Sequence, residues 1–317
     1  MGWLTGYGHR KSVTITGQTG AGTLYQVDLS IAETAGGDFT LDSHALAFPN
    51  DIRFTDNDET TELDYWIEDL TVDPITAWVE VADSLESNVD IYCYYGKTGD
   101  TTTSNGDNTF LFFDGAESGA ITDKWTGGTA NTVYSTDRAF SGSKSIKMDS
   151  VTQGGIVELL HTMAVSGTIV EIEMYDDGDT SLHQAPHPGS NSQMGIWTGQ
   201  STTYYSYNSG GWTTSSILRT VGWHNLKWVH DGTTMKQFID GTQLSSYAFS
   251  PANIILNSGV DTYLGVSYYD NVLVRKYASP EPAFSSAGAE ENFAALLRFP
   301  SGRGGGIGEA MKGGIAR

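Results

Sequence analysis

Apolar and polar residues alternate in short runs along most of this chain. Val13 and Ile15 share one face of the run Arg10 to Thr16, and Tyr25, Val27, Leu29 and Ile31 share one face of the next. A period of two sends successive side chains to opposite faces of a strand, so these runs predict half-buried strands. Asp51 to Thr55, Leu63 to Glu68, Ala77 to Val81 and Val89 to Gly96 continue the pattern. Clusters of Gly, Asn, Asp and Pro separate the six, which predicts an antiparallel sandwich. Farther on, Gly167 to Tyr175 and Met194 to Trp197 read as strands. Gly222 to His230 and Thr234 to Ile239 read as a hairpin joined at Asp231-Gly232 and closed by Asp240-Gly241. Asp-Gly supplies the positive φ that a tight hairpin turn needs. Tyr268 to Arg275 is a last strand with one acid, Asp270, among apolar neighbours. A helical period appears near the C-terminus alone, from Ala289 to Phe299, where Phe293, Leu296, Leu297 and Phe299 share a face.

The predicted fold class is therefore all-β, with two β-sandwich domains and a short C-terminal helical or glycine-rich tail. The expected boundaries are 1–96 for the first domain, 97–109 for a polar linker, 110–288 for the second and 289–317 for the tail. The length of 317 residues suffices for two such cores.

Two resemblances sharpen this. Gly6-Tyr7 with Arg10-Lys11, Asp51 to Asp56, Glu62 to Glu68, Trp78-Val79 and Tyr94-Tyr95-Gly96 occur in the order seen in an uncharacterised β-sandwich domain. That domain belongs to archaeal and bacterial surface proteins and proteins of their viruses; Glu59 departs from its usual turn glycine. The second is carried by Phe110 to Gly119, Lys124-Trp125, the Ser141-Gly142-Ser143 turn, the Gly222 to Gly241 hairpin and the Tyr268 to Arg275 strand. Together these resemble a concanavalin-A-like (laminin-G-like) jelly roll. The resemblance implies a fold that usually binds carbohydrate or another surface and less often hydrolyses it.

Composition narrows the partners. Lys and Arg number 17 against 38 Asp and Glu, a formal charge of −21. Such a surface repels nucleic acid and anionic membrane and suits neutral glycans and divalent cations. The single cysteine, Cys93, excludes an intrachain disulfide and reads as a small core residue in its strand. Met1 to Tyr7 lacks the apolar run of an export signal. Surface-type folds without such a signal predict a virion protein, synthesised in a host cytoplasm and released by lysis.

Four groups of residues invite chemistry. Asp114, Glu117 and Asp270 correspond to the first-strand and last-strand acids that hold a structural Ca²⁺ in related jelly rolls; a solvated acid cluster is the plainer account. Glu171 and Glu173 share a strand face with Tyr175. Laminarinase-type glycosidases on this fold carry three alternating acids there. With the third acid missing and the central Asp replaced, the pair reads as a solvated face rather than a catalytic one. Tyr204, Tyr205, Tyr207 and Trp212 stand among Ser, Thr, Asn and Gly, with Trp197 just before them, and are expected to line a carbohydrate surface. His183 and His187 are spaced as helical metal ligands are, but Pro186 and Pro188 exclude that helix.

These readings predict a non-enzymatic surface protein of a tailed virus that binds host glycan, in contact with other virion proteins and as a homo-oligomer. A glycoside hydrolase or depolymerase, a spacer without ligand, and an extracellular adhesin are the alternatives.

Overall fold

The computed structural model describes residues 2–189, 192–197, 202–208, 211–249 and 251–296. The fold is all-β, and its two sandwiches share one long chain path. All six expected N-terminal strands form. The six, with the short Phe39–Thr40 strand, make up two facing sheets. In one, Phe39–Thr40, Tyr25–Ala32, Ile75–Val81 and Tyr65–Ile67 lie side by side; in the other, His9–Thr16, Val89–Tyr95 and Arg53–Thr55 do. Val13, Ile15, Val27, Leu29, Phe54, Val79 and Ile91 meet between them. Cys93 is a buried free thiol in this core, as its alternating run predicts, and burial pushes its pKa far up.

The second sandwich is a jelly roll built on one large sheet. Its strands run Thr132–Ser135, Ser145–Asp149, Val266–Lys276, Thr168–Asp176, Gly222–His230, Thr234–Ile239 and Thr242–Ala248, and Phe112–Asp114 also pairs with Val266–Lys276. Two three-stranded sheets close the other side, one from Asn253–Ser258, Val157–Thr162 and Thr126–Gly127, the other from Met194–Gly195, Thr203–Asn208 and Gly211–Leu218. Ile146, Val170, Ile172, Met174, Leu226, Trp228 and Tyr269 fill the space between. Asp240 and Gly241 both take positive φ, 48° and 74°, and form the tight turn from Thr234–Ile239 into Thr242–Ala248.

One boundary differs from expectation. After Lys276 the chain leaves the jelly roll and returns to the first sandwich. Ala283–Ala287 pairs along His9–Thr16 on the edge opposite Val89–Tyr95, and Glu291–Asn292 extends the pairing to His9 and Arg10. The expected tail from residue 289 is thus part of the first domain as far as it is described. Its helix is described over Phe293–Leu296, where Phe293 packs 5.3 Å from Trp3; residues 297–317, including Leu297 and Phe299, lie outside the described residues. The run Ala283 to Ala287 has too little alternation to stand out as a strand. Pairing with a preformed edge makes it one.

The two sandwiches also touch directly. Trp66 and Trp78 of the first pack against Phe110, Phe113 and Leu273. The linker is held as well: Asn105 caps the Gly106–Thr109 turn, and Arg53 donates to the Thr101 carbonyl at 2.6 Å.

Candidate functional site

The outer face of the large sheet carries the strongest chemical constellation. Along Thr168–Asp176 the core side takes Val170, Ile172 and Met174, so alternation turns Glu171, Glu173 and Tyr175 outward. Neighbouring strands place Lys227, Asn225 and Trp223 opposite these three on one side, and Leu273, Asp270 and Tyr268 on the other. The register slips between Glu171 and Glu173, because three residues of Val266–Lys276 span what two span on Thr168–Asp176. Asn271 lies in this bulge with φ 40°. A bulge bends the strand and re-aims side chains beside it.

The two glutamates have unlike surroundings. Glu171 ion-pairs with Arg275, whose Nη2 and Nε both lie 3.0 Å from its Oε1. Glu173 is buried, accepts one hydrogen bond from Asn225 Nδ2 at 2.8 Å, and has no cation beside it. Burial, with smaller repulsion from Glu171 and Glu68, pushes its pKa up to about 7. Glu68 reaches this group from the first sandwich. It accepts from Trp78 Nε1 at 2.8 Å, and burial raises its pKa too. Tyr175 meets Trp223 edge-on at 5.3 Å and Tyr268 at 6.5 Å, and Arg138 stacks 4.2 Å over Tyr175. Next to this ring wall a cleft of 640 Å³ opens between the sandwiches, lined by Trp66, Glu68, Phe113, Glu117, Phe140 and Asn271. The expectation of a plain solvated face at Glu171 and Glu173 is corrected: the first domain packs over it.

Asp114, Glu117 and Asp270 have other tasks. Asp114 is buried and accepts from Trp125 Nε1 at 2.6 Å, the Tyr134 hydroxyl at 3.0 Å and the Ala116 amide at 3.0 Å. Glu117 accepts from the Ser143 amide and hydroxyl and the Lys144 amide. Asp270 accepts from the amides of Phe140, Ser141 and Asn271. Hydrogens thus point at the oxygens that a Ca²⁺ would need, and the three carboxylates form no set of ligand atoms within 4.8 Å of one another. The residues do not fit the expected Ca²⁺ cage. Glu117 and Asp270 instead tie the 140–144 loop to the sheet.

Asp270 has a pH consequence. Burial outweighs its three amide bonds and pushes its pKa up to about 7. Between its unfolded pKa near ~4 and 7 the folded chain keeps a proton that the unfolded chain gives up, so stability falls as pH rises through that window. Asp270→Asn is expected to flatten this fall. Urea unfolding of both proteins at pH 4.5 and 7.5 checks it, and equal pH slopes would refute the assignment.

The aromatic segment divides. Tyr204 is fully buried in the jelly-roll core and donates to Asp176 Oδ2 at 3.0 Å; Tyr205 is nearly as buried. Neither offers a face to a ligand, which corrects their expected sugar-binding role. Thr203–Asn208 is an inner strand of a sheet, and its polar residues are the ones that misled the sequence reading. Tyr207 and Trp212 are half-buried, 4.8 Å apart, and Trp212 lies 3.6 Å from Trp197. Tyr204→Phe removes a hydrogen bond to a carboxylate that Arg219 also grips, at 2.7 and 2.9 Å. It is expected to cost about 1–2 kcal/mol in urea unfolding, more than Trp212→Ala. The reverse order would place Trp212 in the core.

His183 and His187 are buried, and burial lowers both pKa values to about 4. Among the described residues, no helix is long and apolar enough to cross a membrane.

Comparison with known proteins gives a partial family match and distant structural similarities. Residues 49–128 match the family described as a domain of unknown function, DUF2341. The matched stretch runs from the middle of the first sandwich through the linker and past the jelly-roll strand Phe112–Asp114 to Thr126–Gly127. No curated protein matches. Among solved structures, one described as an endo-acting O-glycanase of the human gut microbiota is 15% identical, covering 53% of this chain and all of its own, with a TM-score of 0.40. The laminarinase catalytic domain of Thermotoga maritima is 13% identical, with 53% and 98% covered and a TM-score of 0.39. A Crh5 transglycosylase is 11% identical, with 55% and 86% covered and a TM-score of 0.40. At such values the likeness assigns no residue a role. The expectation of a virion structural protein without activity is corrected to this extent: the three similar structures are described as an O-glycanase, a laminarinase and a transglycosylase.

Proposed function

We propose that this protein is a glycan-processing enzyme that breaks glycosidic bonds on the outer face of its large sheet. The observation that carries the reading is the unlike pair on one strand: Glu173, with a pKa near 7, and Glu171, ion-paired to Arg275. Glycoside cleavage uses two carboxyl groups in which one is protonated and the other ionised. Glu173 in its protonated form would give its proton to the leaving glycosidic oxygen. The Glu171 carboxylate would face the positive charge that develops at the anomeric carbon, which water would then capture, its proton returning to Glu173. Glu68, on the opposite wall, raises the proton affinity of Glu173 by like-charge repulsion. Half-buried Trp223 offers a flat face on which a sugar ring would stack, and Phe140, edge-on to it at 6.0 Å, carries that wall into the cleft between the sandwiches. The departure from three alternating acids is met by recruiting Glu68 from another domain.

The half-exposed rings Tyr207 and Trp212, with Trp197, make a second surface suited to hold a glycan chain away from the cleavage point. The test is release of reducing ends from a panel of β-glucans, mucin O-glycans and bacterial surface polysaccharides at pH 5–7. Release that declines as pH rises above about 7 is expected, because the acid must keep its proton. No release from any member of the panel would sink the reading.

A further inference from the structure

Three distant segments converge beside the first sandwich. His9 opens the strand His9–Thr16, His44 lies in the loop after Phe39–Thr40, and Glu290 stands between the two returning strands. His44 Nδ1 is 2.7 Å from Glu290 Oε2, and His9 Nδ1 is 3.0 Å from Glu290 Oε1. The two imidazoles stack at 4.4 Å with only 13° between their planes, so both Nδ1 atoms face the same carboxylate. One ligand-type atom from each residue lies within 4.8 Å of the others, and among the described residues no other set of three does so. His9 Nδ1 is buried and makes no aligned hydrogen bond, although Glu290 is near. Tyr95 donates its hydroxyl to Glu290 Oε2 at 3.0 Å and stacks on His9 at 5.7 Å, holding both in place from behind.

We infer that His9, His44 and Glu290 bind a divalent first-row transition cation of the Zn²⁺ class. Two imidazole nitrogens and one carboxylate oxygen form a donor set that this class prefers, with water in the fourth position. Metal–ligand distances of about 2.0–2.2 Å put ligand atoms roughly 3.5 Å apart, so the two nitrogens, now 2.7 and 3.0 Å from the carboxylate oxygens, must draw back for the ion to enter between them. His44 is half-exposed and free to make that movement, and it leaves an open side for the water. Tyr95 serves as the outer partner that orients the carboxylate. The ion would clip the returning segment onto His9–Thr16, joining the last described part of the chain to its first strand. This role is separate from the glycan cleft.

The experiment uses the full chain, stripped with EDTA and dialysed. Calorimetric titration with Zn²⁺ is expected to show one site per chain, and Zn²⁺ to raise the melting temperature where Mg²⁺ and Ca²⁺ do not. Co²⁺ is expected to give the visible absorption of a four-coordinate site. Glu290→Gln and His44→Ala are each expected to weaken Zn²⁺ binding by about 100-fold or more, while His161→Ala, remote from the cluster, leaves it unchanged. His44 is exposed enough that its variant is expected to fold even if a change at half-buried His9 is not tolerated. Absence of stoichiometric Zn²⁺ binding, or binding that survives both Glu290→Gln and His44→Ala, would overturn the inference.

Discussion

Glu173→Gln is expected to lower glycosidic-bond cleavage by about 10²–10⁴-fold, the range that a positioned general acid supplies, without unfolding the protein. Gln keeps the shape of the protonated acid and can still accept the hydrogen bond from Asn225 Nδ2. It cannot give up a proton. The same substitution has a stability signature of the opposite sign. The Glu173 pKa is raised to about 7 in the fold, so the parent loses stability as pH rises from near ~4 through 7. The variant carries no such cost and is expected to be at least as stable as the parent at pH 8. Reducing-end assays and urea unfolding on the same preparations separate the two effects. A variant that is inactive and destabilised at pH 8 would make Glu173 a structural residue, and a fully active one would remove it from the chemistry.

Arg275→Ala is expected to cost about 3–5 kcal/mol, as breaking a buried ion pair does. The guanidinium is 5% exposed and bonds Glu171, pairs with Glu281 in the returning segment, and lies 4.7 Å over the Trp78 ring of the first sandwich. Its loss leaves two carboxylates without their cation at the seam between the domains and removes the stack on Trp78. Arg275→Lys is expected to recover only part of the loss, since an ammonium lacks the planar fork that grips two acids at once. Urea unfolding of the three proteins checks the order. A cost below about 1 kcal/mol for the alanine variant would show that the seam does not depend on this residue.

Much of the architecture was legible in the chain because strand burial is written locally. Val13 and Ile15, Val27 and Leu29, Ile172 and Met174 occupy alternate positions, and each pair turned out to face a core. The Asp240-Gly241 turn is equally local, since only its own φ angles decide it. Local pattern failed where a residue's setting depends on a distant partner. Tyr204 looks like a loop aromatic among its sequence neighbours, but Asp176 and the core receive it. Asp114, Glu117 and Asp270 were read together from the resemblance, yet loop amides and side-chain donors from 116 to 144 take up their oxygens.

The alternation and turns of this sequence determined an all-β chain with two sandwiches, the outward direction of Glu171, Glu173 and Tyr175, and the burial of Cys93. Tertiary structure alone decided that Ala283–Ala287 completes the first domain, that Glu68 and Trp78 cover the second domain's acidic face, and that Glu173 rather than Glu171 lacks a cation. The reason is physical. A side chain's direction follows from its own strand, whereas its protonation and its ligands follow from whatever the rest of the chain packs against it.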